Sequence, residues 1–538
     1  MDTRAREYRL IGYQTWSILR LWDPQTDKVI TSSDVVFKDD LELRPFATLA
    51  INPFVNAWPK TYKEAMKRKE AAYWRKSMQR EIDDLERRKT WTLVPYSEVP
   101  KGEPIAPGNW VYIEKDRPND PNVDPDGILR KSRWVICGNR LRKSSIEETY
   151  APVANPTTNR LIIVLATKLG WKIRQADVVM AYLHGRLKKP VYMRQPTSFE
   201  QGIKGSLVCK VEGSLYGLDP AAKIWYDALT SLLKDLGFRA KDEPDADWLI
   251  NSLLEKLEIK DLLIPKKYLG MEIKEVLDEN SGKRTAVRLT QTRYIEQLIE
   301  DFRLENANPV QTPLDTSFIP DDKELPEQEA RFTKQRYQYG IGCLQYLACY
   351  KQLLLVLHYL KGSKNLGIEY RAEGTDVGMP LGYSDSDWAG PLNGDRKSTG
   401  GFVFILAGAP IGWKSNKQFC VALSSNEAEY MALSEAVREA TWLRNLLLDL
   451  SLDNLSISDQ NPIKVCVDNK GAIDLAKIDG ITKRLKHVNT RFHYSREQQL
   501  LGVITIVYVP TTEMATDSLI KPLPTPSFRR FINQLGLR

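Results

Sequence analysis

Histidine is scarce in this 538-residue chain: there are four, and none stands with a cysteine in a zinc-binding spacing. The six cysteines (Cys137, Cys209, Cys343, Cys349, Cys420 and Cys466) show no paired spacing, which argues against a disulfide scaffold and fits reduced intracellular thiols. Long apolar runs are missing as well. Leu353–Leu357 is far too short to span a bilayer, and no signal-peptide pattern is present. The expectation is an intracellular protein, cytoplasmic or nuclear, with no membrane partner. Adjacent aspartates occur only at Asp39-Asp40, Asp83-Asp84 and Asp321-Asp322, and none of these pairs stands between apolar strands. What is present is an ordinary globular composition, 42% hydrophobic and 27% charged, over a length that calls for several domains. The formal charge of +8 permits a polyanionic partner without requiring one.

The most informative residues are four carboxylates in the last third: Asp385 in GYSDSDWAG, Glu429 in SSNEAEYMAL, Asp468 in VCVDNKGAI and Asp517 in TTEMATDSLIKPL. Each falls near a strand end or a helix start, so four distant segments can converge. Hard cations such as Mg²⁺ take oxygen ligands, and a pair of such ions can activate a water and stabilise the leaving oxygen of a phosphodiester. With 69 Asp and Glu in the chain, coincidence is the bland alternative. The local patterns support a folded frame. Gly401 to Trp413 alternates around Gly-Ala-Pro and reads as a hairpin. Ser424 with Glu427 fits a capping box, and Tyr430, Leu433, Val437, Ala440, Leu443 and Leu447 mark one helix face. Asp468 closes the apolar run Ile463–Val467, and Asp517 follows a strand over Val503–Val509. A mixed sheet with helices is the expected result.

The wording DSDWAG, RKSTGGFVF, IGWKS, SSNEAEYMAL, DNKGAI, RLKHVNTRFHYSRE and DSLIKPL, in that order, closely resembles the ribonuclease H domain of copia-type LTR retrotransposons over residues 380–525. The resemblance implies that Asp385, Glu429, Asp468 and Asp517 are catalytic and hold two Mg²⁺ ions, with Mn²⁺ able to substitute.

The same family is legible upstream. Residues 8–37 are strand-like, with turn signals at Asp23-Pro24 and Asp27, and resemble the SH3-like β region that follows an integrase core. Residues 61–89 read as one charged helix with Ala71, Trp74, Met78, Ile82 and Leu85 on one face. TWTLV (90–94), TYAPVANPTTNRLII, QADVVMAYLHGRL, VYMRQP and SLYGL then resemble a copia-type reverse transcriptase over residues 90–277. That resemblance implies paired fingers strands at Trp110–Tyr112 and Arg130–Val135, where Lys131 and Arg133 would grip template or triphosphate. On the residues alone, such basic groups equally discourage edge pairing. The resemblance also makes Asp177 the first catalytic aspartate of the palm.

The second palm motif of the family, an aromatic, a variable residue and two aspartates, is absent. DEPDADWLIN (242–251) runs directly into SLLEKLEIKDLL, so the hairpin is read as excised; Asp245 and Asp247 are read as preceding a strand and are poor substitutes. SLYGL continues with Asp219-Pro220-Ala221-Ala222-Lys223, where the family has Lys-Gln-Ala-Pro-Arg, and GCLQYLACY (342–350) jumps to KQLLLVLHYLKGS. A polymerase without its second metal-ligand pair is not expected to extend a primer. The basic cluster Lys483, Arg484, Lys486, His487, Arg491, His493 and Arg496, with Phe492 and Tyr494, reads either as a solvated helix or as a phosphate contact to an A-form-like hybrid, and the resemblance favours the hybrid. His487 or His493 is a candidate for proton transfer.

The expected class is therefore a multidomain α+β and α/β protein: a small β module at 1–40, a linker and charged helix at 41–89, partial fingers and palm at 90–277, a shortened thumb and connection at 278–379, and a ribonuclease H-like mixed sheet with helices at 380–538. The expected partners are an RNA–DNA hybrid and an RNA template, with self-association alongside other retroelement proteins. Hydrolysis of RNA in hybrids is the leading activity, and a non-catalytic nucleic-acid-binding relic is the alternative.

Overall fold

The computed structural model describes residues 9–15, 18–23, 28–32, 58–116, 122–141, 150–152, 154–203, 205–237, 246–314, 350–373, 378–388, 396–450, 460–477 and 494–538. It is a mixed α/β molecule with several sheets. Residues 1–51 form one compact unit and residues 52–538 another. The first holds an antiparallel meander, β1 (Arg9–Thr15), β2 (Ile18–Asp23) and β3 (Lys28–Ser32), with Asp23 paired to Lys28.

In the second unit the single charged helix expected over 61–89 is two: α1 (Tyr62–Lys67) and α2 (Ala71–Arg87). Arg68 takes an extended conformation and ends the first; the expected apolar face lies wholly in α2, where Trp74, Met78, Ile82 and Leu85 are buried and Ala71 is not. That face packs on β6 (Gly108–Asp116) and β7 (Ile128–Ile136), the paired hairpin expected of the fingers, burying Trp110, Tyr112 and Trp134 with it. Large aromatic and aliphatic groups removed from water in this way stabilise by about 2 kcal/mol each.

The outer edge of β7 is closed by side chains rather than by another strand. Ser77 Oγ donates to Arg130 O at 3.0 Å and accepts from Ser132 N at 2.8 Å, and Glu81 Oε1 accepts from Trp134 N at 3.3 Å. Burial pushes the Glu81 carboxyl up to about 7. Two residues four apart on α2 thereby satisfy polar groups that an open strand edge leaves bare. Arg130 is itself buried, held by Glu114, Asp124 and Asp126.

Behind this hairpin lies a four-stranded sheet in the order β4 (Trp91–Pro95), β10 (Leu207–Gly213), β9 (Arg186–Met193), β5 (Ile105–Ala106). The short strand β8 (Ala176–Val178), where the palm was expected, pairs among the described residues with β11 (Ile259–Asp261), three residues each. Between β10 and β11 run α4 (Ala221–Asp235) and α5 (Ala246–Leu254); Asp247 stands in the first turn of α5, not before a strand as the sequence suggested, and pairs with Arg174. Asp245 and residues 342–349 lie outside the described residues.

Helix α3 (Pro156–Leu169), capped by Asn155 and begun by Pro156, joins the two halves. Its Leu161, Val164 and Leu165 lie in one core with β14 (Arg284–Thr290) and with the C-terminal sheet. Strands β12 (Lys267–Tyr268), β13 (Met271–Leu277), β14 and β15 (Ile368–Arg371) form an antiparallel sheet beside it. Helices α6 (Thr292–Asp301) and α7 (Tyr350–Ser363) pack together through Leu298, Phe302 and Leu357.

The C-terminal sheet has the order β18 (Ala409–Lys417), β17 (Thr399–Leu406), β16 (Leu381–Asp387), β19 (Ile463–Val467), β20 (Ile504–Tyr508). Strands β16 to β18 are antiparallel, whereas β19 and β20 run parallel to β16, so the sheet is mixed as expected. The hairpin turn is Ala407-Gly408, both at positive φ, which suits a tight two-residue connection. The 25-residue helix α8 (Ser425–Asp449) crosses the sheet and buries every residue of the expected face. No helix among the described residues is long and apolar enough to cross a membrane.

Candidate metal centre

The long helix is fixed at its start. Ser424 Oγ accepts from Glu427 N at 3.3 Å, and Glu427 reaches back to Leu423 N at 2.8 Å, one residue before the cap itself. That start sets Glu429 in the second turn, facing the middle strand. Asp385 lies within β16 rather than at its end, and Asp468 follows the last residue of β19. Because β16 and β19 are adjacent and parallel, their carboxylates meet at the same end of the sheet.

Asp385, Glu429 and Asp468 each present a carboxylate oxygen within 4.8 Å of the others. Ser386 N donates to Asp385 Oδ1 at 2.7 Å and to Glu429 Oε1 at 3.3 Å, tying strand and helix together. Asp468 Oδ2 accepts from Thr511 Oγ1 at 2.7 Å. Asp385 and Glu429 are buried and Asp468 half-buried. Burial first, then the neighbouring charges of Glu429 and Asp468, hold the Asp385 carboxyl well above the usual carboxylate range. Burial and then Asp468 raise Glu429. Two buried acids whose charge is disfavoured, gathered with a third carboxylate, are stabilised by a cation. Asp385 Oδ2 and Glu429 Oε2 are buried and receive no hydrogen bond, which suits an oxygen-seeking divalent ion.

Asp517 begins the short helix α11 (Asp517–Ile520) and stands against the Asp385 carboxyl. Its own partner is Lys521 Nζ, at 2.9 Å from Oδ1. It is therefore beside the three-oxygen cluster rather than one of its members. Placement of α11 depends on Gly401, which faces Asp385 across the two strands, and on Ser415 Oγ, which donates to Leu519 O.

The remaining candidates are dispersed. Asp177 is exposed on β8, with no other acid gathered around it into a metal cluster among the described residues. The Arg133 guanidinium lies 4.9 Å from the Tyr216 ring centre, and Lys131 is half-buried on the same strand. Lys483, Arg484, Lys486, His487, Arg491 and His493 lie outside the described residues. Arg496, in α10 (Tyr494–Leu500), donates to Leu475 O at 3.2 Å, near the end of α9 (Lys470–Lys477), so its guanidinium serves a helix terminus. Sequence reasoning missed Asp387, Thr511 and Lys521. For Lys521 a signal existed, since a lysine four residues after an aspartate on a helix falls on the same face.

Comparison with known proteins matches residues 88–248 to a reverse transcriptase (RNA-dependent DNA polymerase) family and residues 1–48 to a retroviral polymerase SH3-like domain. A retrovirus-related Pol polyprotein from transposon TNT 1-94 of Nicotiana tabacum is 30% identical, with 89% of this chain and 39% of the relative covered. The corresponding polyprotein from transposon RE1 of Arabidopsis thaliana is also 30% identical, covering 92% of this chain and 35% of the relative. The chain thus spans well under half the length of these relatives. Among solved structures, a foamy viral protease-reverse transcriptase in complex with double-stranded DNA is 14% identical, with 86% and 74% of the two chains covered at a TM-score of 0.39. LC11-RNase H1 isolated from compost is 17% identical, covering 27% of this chain and 93% of its own at a TM-score of 0.20.

Proposed function

Because the chain belongs to the copia-type retrotransposon Pol polyproteins, we propose that its C-terminal sheet is a divalent-cation-dependent ribonuclease H acting on RNA–DNA hybrids. The observation that carries this reading is the convergence of Asp385, Glu429 and Asp468 within 4.8 Å. Asp385, Glu429 and Asp468 would hold Mg²⁺, or Mn²⁺ in its place, which would supply Lewis acidity toward a phosphodiester and toward the attacking water; the expected products carry 3′-hydroxyl and 5′-phosphate ends. The chain's own residues prepare this chemistry. Ser386 N–H fixes the facing oxygens of Asp385 and Glu429, and Thr511 orients Asp468. Asp517 stands ready beside Asp385 as a ligand toward a second ion.

The polymerase half is read as inactive. Support comes from Asp177, exposed on a three-residue strand and without a clustered acid among the described residues. Primer extension on a primed RNA template is expected to stay at background, and extension above it would overturn this part. Hybrid binding through Arg133, Lys131 and the basic cluster before α10, and self-association with other retroelement proteins, belong to the same proposal. Cleavage of a labelled hybrid in Mg²⁺, set against cleavage of the RNA alone, tests the nuclease directly.

A further inference from the structure

Among the described residues, Lys521 is a basic side chain that the structure builds against the acids of this centre, and neither the motifs nor the fold gave it a role. It caps the C-terminal end of α11, its N–H donating to Asp517 O at 3.1 Å while its Nζ meets Asp517 Oδ1 at 2.9 Å. Its charge also bears on Asp385 and Asp387. Its position is not free to drift, because Ile520 is buried against the glycine that faces Asp385 and Leu519 O is held by Ser415.

We propose that Lys521 is a resident counter-cation of the carboxylate cluster, holding Asp517 in an ion pair and so confining the strongly bound divalent ion to Asp385, Glu429 and Asp468. This rests on the metal-dependent reading above. Two physical effects follow. A fixed positive charge repels a divalent ion, and at roughly 6 Å in a water-like dielectric that repulsion is worth about a factor of ten in affinity. The ion pair also occupies an oxygen that a second ion would need. A substrate phosphate arriving at the site offers Lys521 a new anionic partner, and the release of Asp517 is then coupled to phosphate binding. Lys521 is accordingly a positioning residue, which acts on Asp517 and on ion affinity.

The test is calorimetric titration of the full metal-free chain with Mn²⁺, in the absence of nucleic acid, for the wild type, Lys521→Met, Lys521→Arg and Asp468→Asn. Lys521→Met is expected to bind about tenfold more tightly than the wild type, Lys521→Arg to match the wild type, and Asp468→Asn to bind more weakly. Thermal melting checks that each variant is folded, and Lys521→Gln replaces the methionine variant if that one is not. Unchanged or weaker binding by the neutral variant, with binding still weakened in Asp468→Asn, overturns the role of Lys521 and leaves the metal centre standing. No Mn²⁺ binding by the wild type overturns both.

Discussion

Gly401 stands opposite Asp385 in the register of β16 and β17, and a Cβ built on it would lie 3.0 Å from Ile520 Cγ2 and 3.4 Å from Leu519 Cβ. The missing side chain is what lets the short helix carrying Asp517 settle over the strand carrying Asp385. Strand, glycine and helix act together as a spacer that sets the distance between two carboxylates.

Gly401→Val therefore pushes α11 outward without touching any proposed ligand. Displacement of a reacting group by about 1 Å costs on the order of a hundredfold in rate. Hybrid cleavage is expected to fall by about that factor while circular dichroism keeps the wild-type helix content. Wild-type turnover by the valine variant would show that the spacing is not required.

Without metal, the centre should make the fold pH-dependent. Asp385 and Glu429 have raised pKa values in the folded state, through burial and then through neighbouring acids. The native state therefore binds more protons than the unfolded one between the ordinary carboxylate value, about 4, and the raised values. This contribution is fully present below about pH 4 and is lost as pH rises toward the raised values. In EDTA the urea midpoint is expected to fall between pH 5 and pH 8, to fall less in Asp385→Asn, and to recover in Mg²⁺. A midpoint with the same pH dependence in the wild type and the asparagine variant would contradict the assignment.

Much of the nuclease frame was legible because its signals are local. The cap at Ser424 and Glu427, the period through Tyr430 to Leu447, and the apolar run Ile463–Val467 before Asp468 each fix an element from its own neighbours in sequence, and the structure keeps all three. Asp517 was legible only through family wording, since nothing within a four-residue helix announces which strand it will reach. Lys521 escaped although its spacing from Asp517 carried a signal, because so short a helix shows no apolar period to announce it. The break at Arg68 escaped because the expected apolar face begins only at Ala71, so nothing in it marks where the charged run before it turns away. Asp177 matched a motif, but its exposure depends on the partners that β8 has, and those are distant in sequence.

The contribution of α3 to the C-terminal core was invisible for a related reason: its contacts are some 250 residues away. Arg160 lies 3.9 Å from the centre of the Trp413 ring and donates to Ile411 O at 3.0 Å, while Leu161, Val164 and Leu165 join the core of the C-terminal sheet. Arg160→Ala is expected to lower the unfolding free energy by about 2 kcal/mol, through lost cation–π and hydrogen-bond contacts. Lysine should restore little, since it lacks the planar face. Urea denaturation of the three chains decides this, and an alanine variant as stable as the wild type would show that the contact is dispensable.

The most direct test of the central claim is cleavage of a labelled RNA–DNA hybrid in Mg²⁺ by the full chain and by its Asp468→Asn variant, which removes one of the three clustered carboxylates. The expected result is cutting of the RNA strand by the wild type, loss of at least a hundredfold in the variant, and no cutting by either in EDTA. Folded wild-type protein that leaves the hybrid intact, or an asparagine variant that cuts as well as the wild type, would contradict the account.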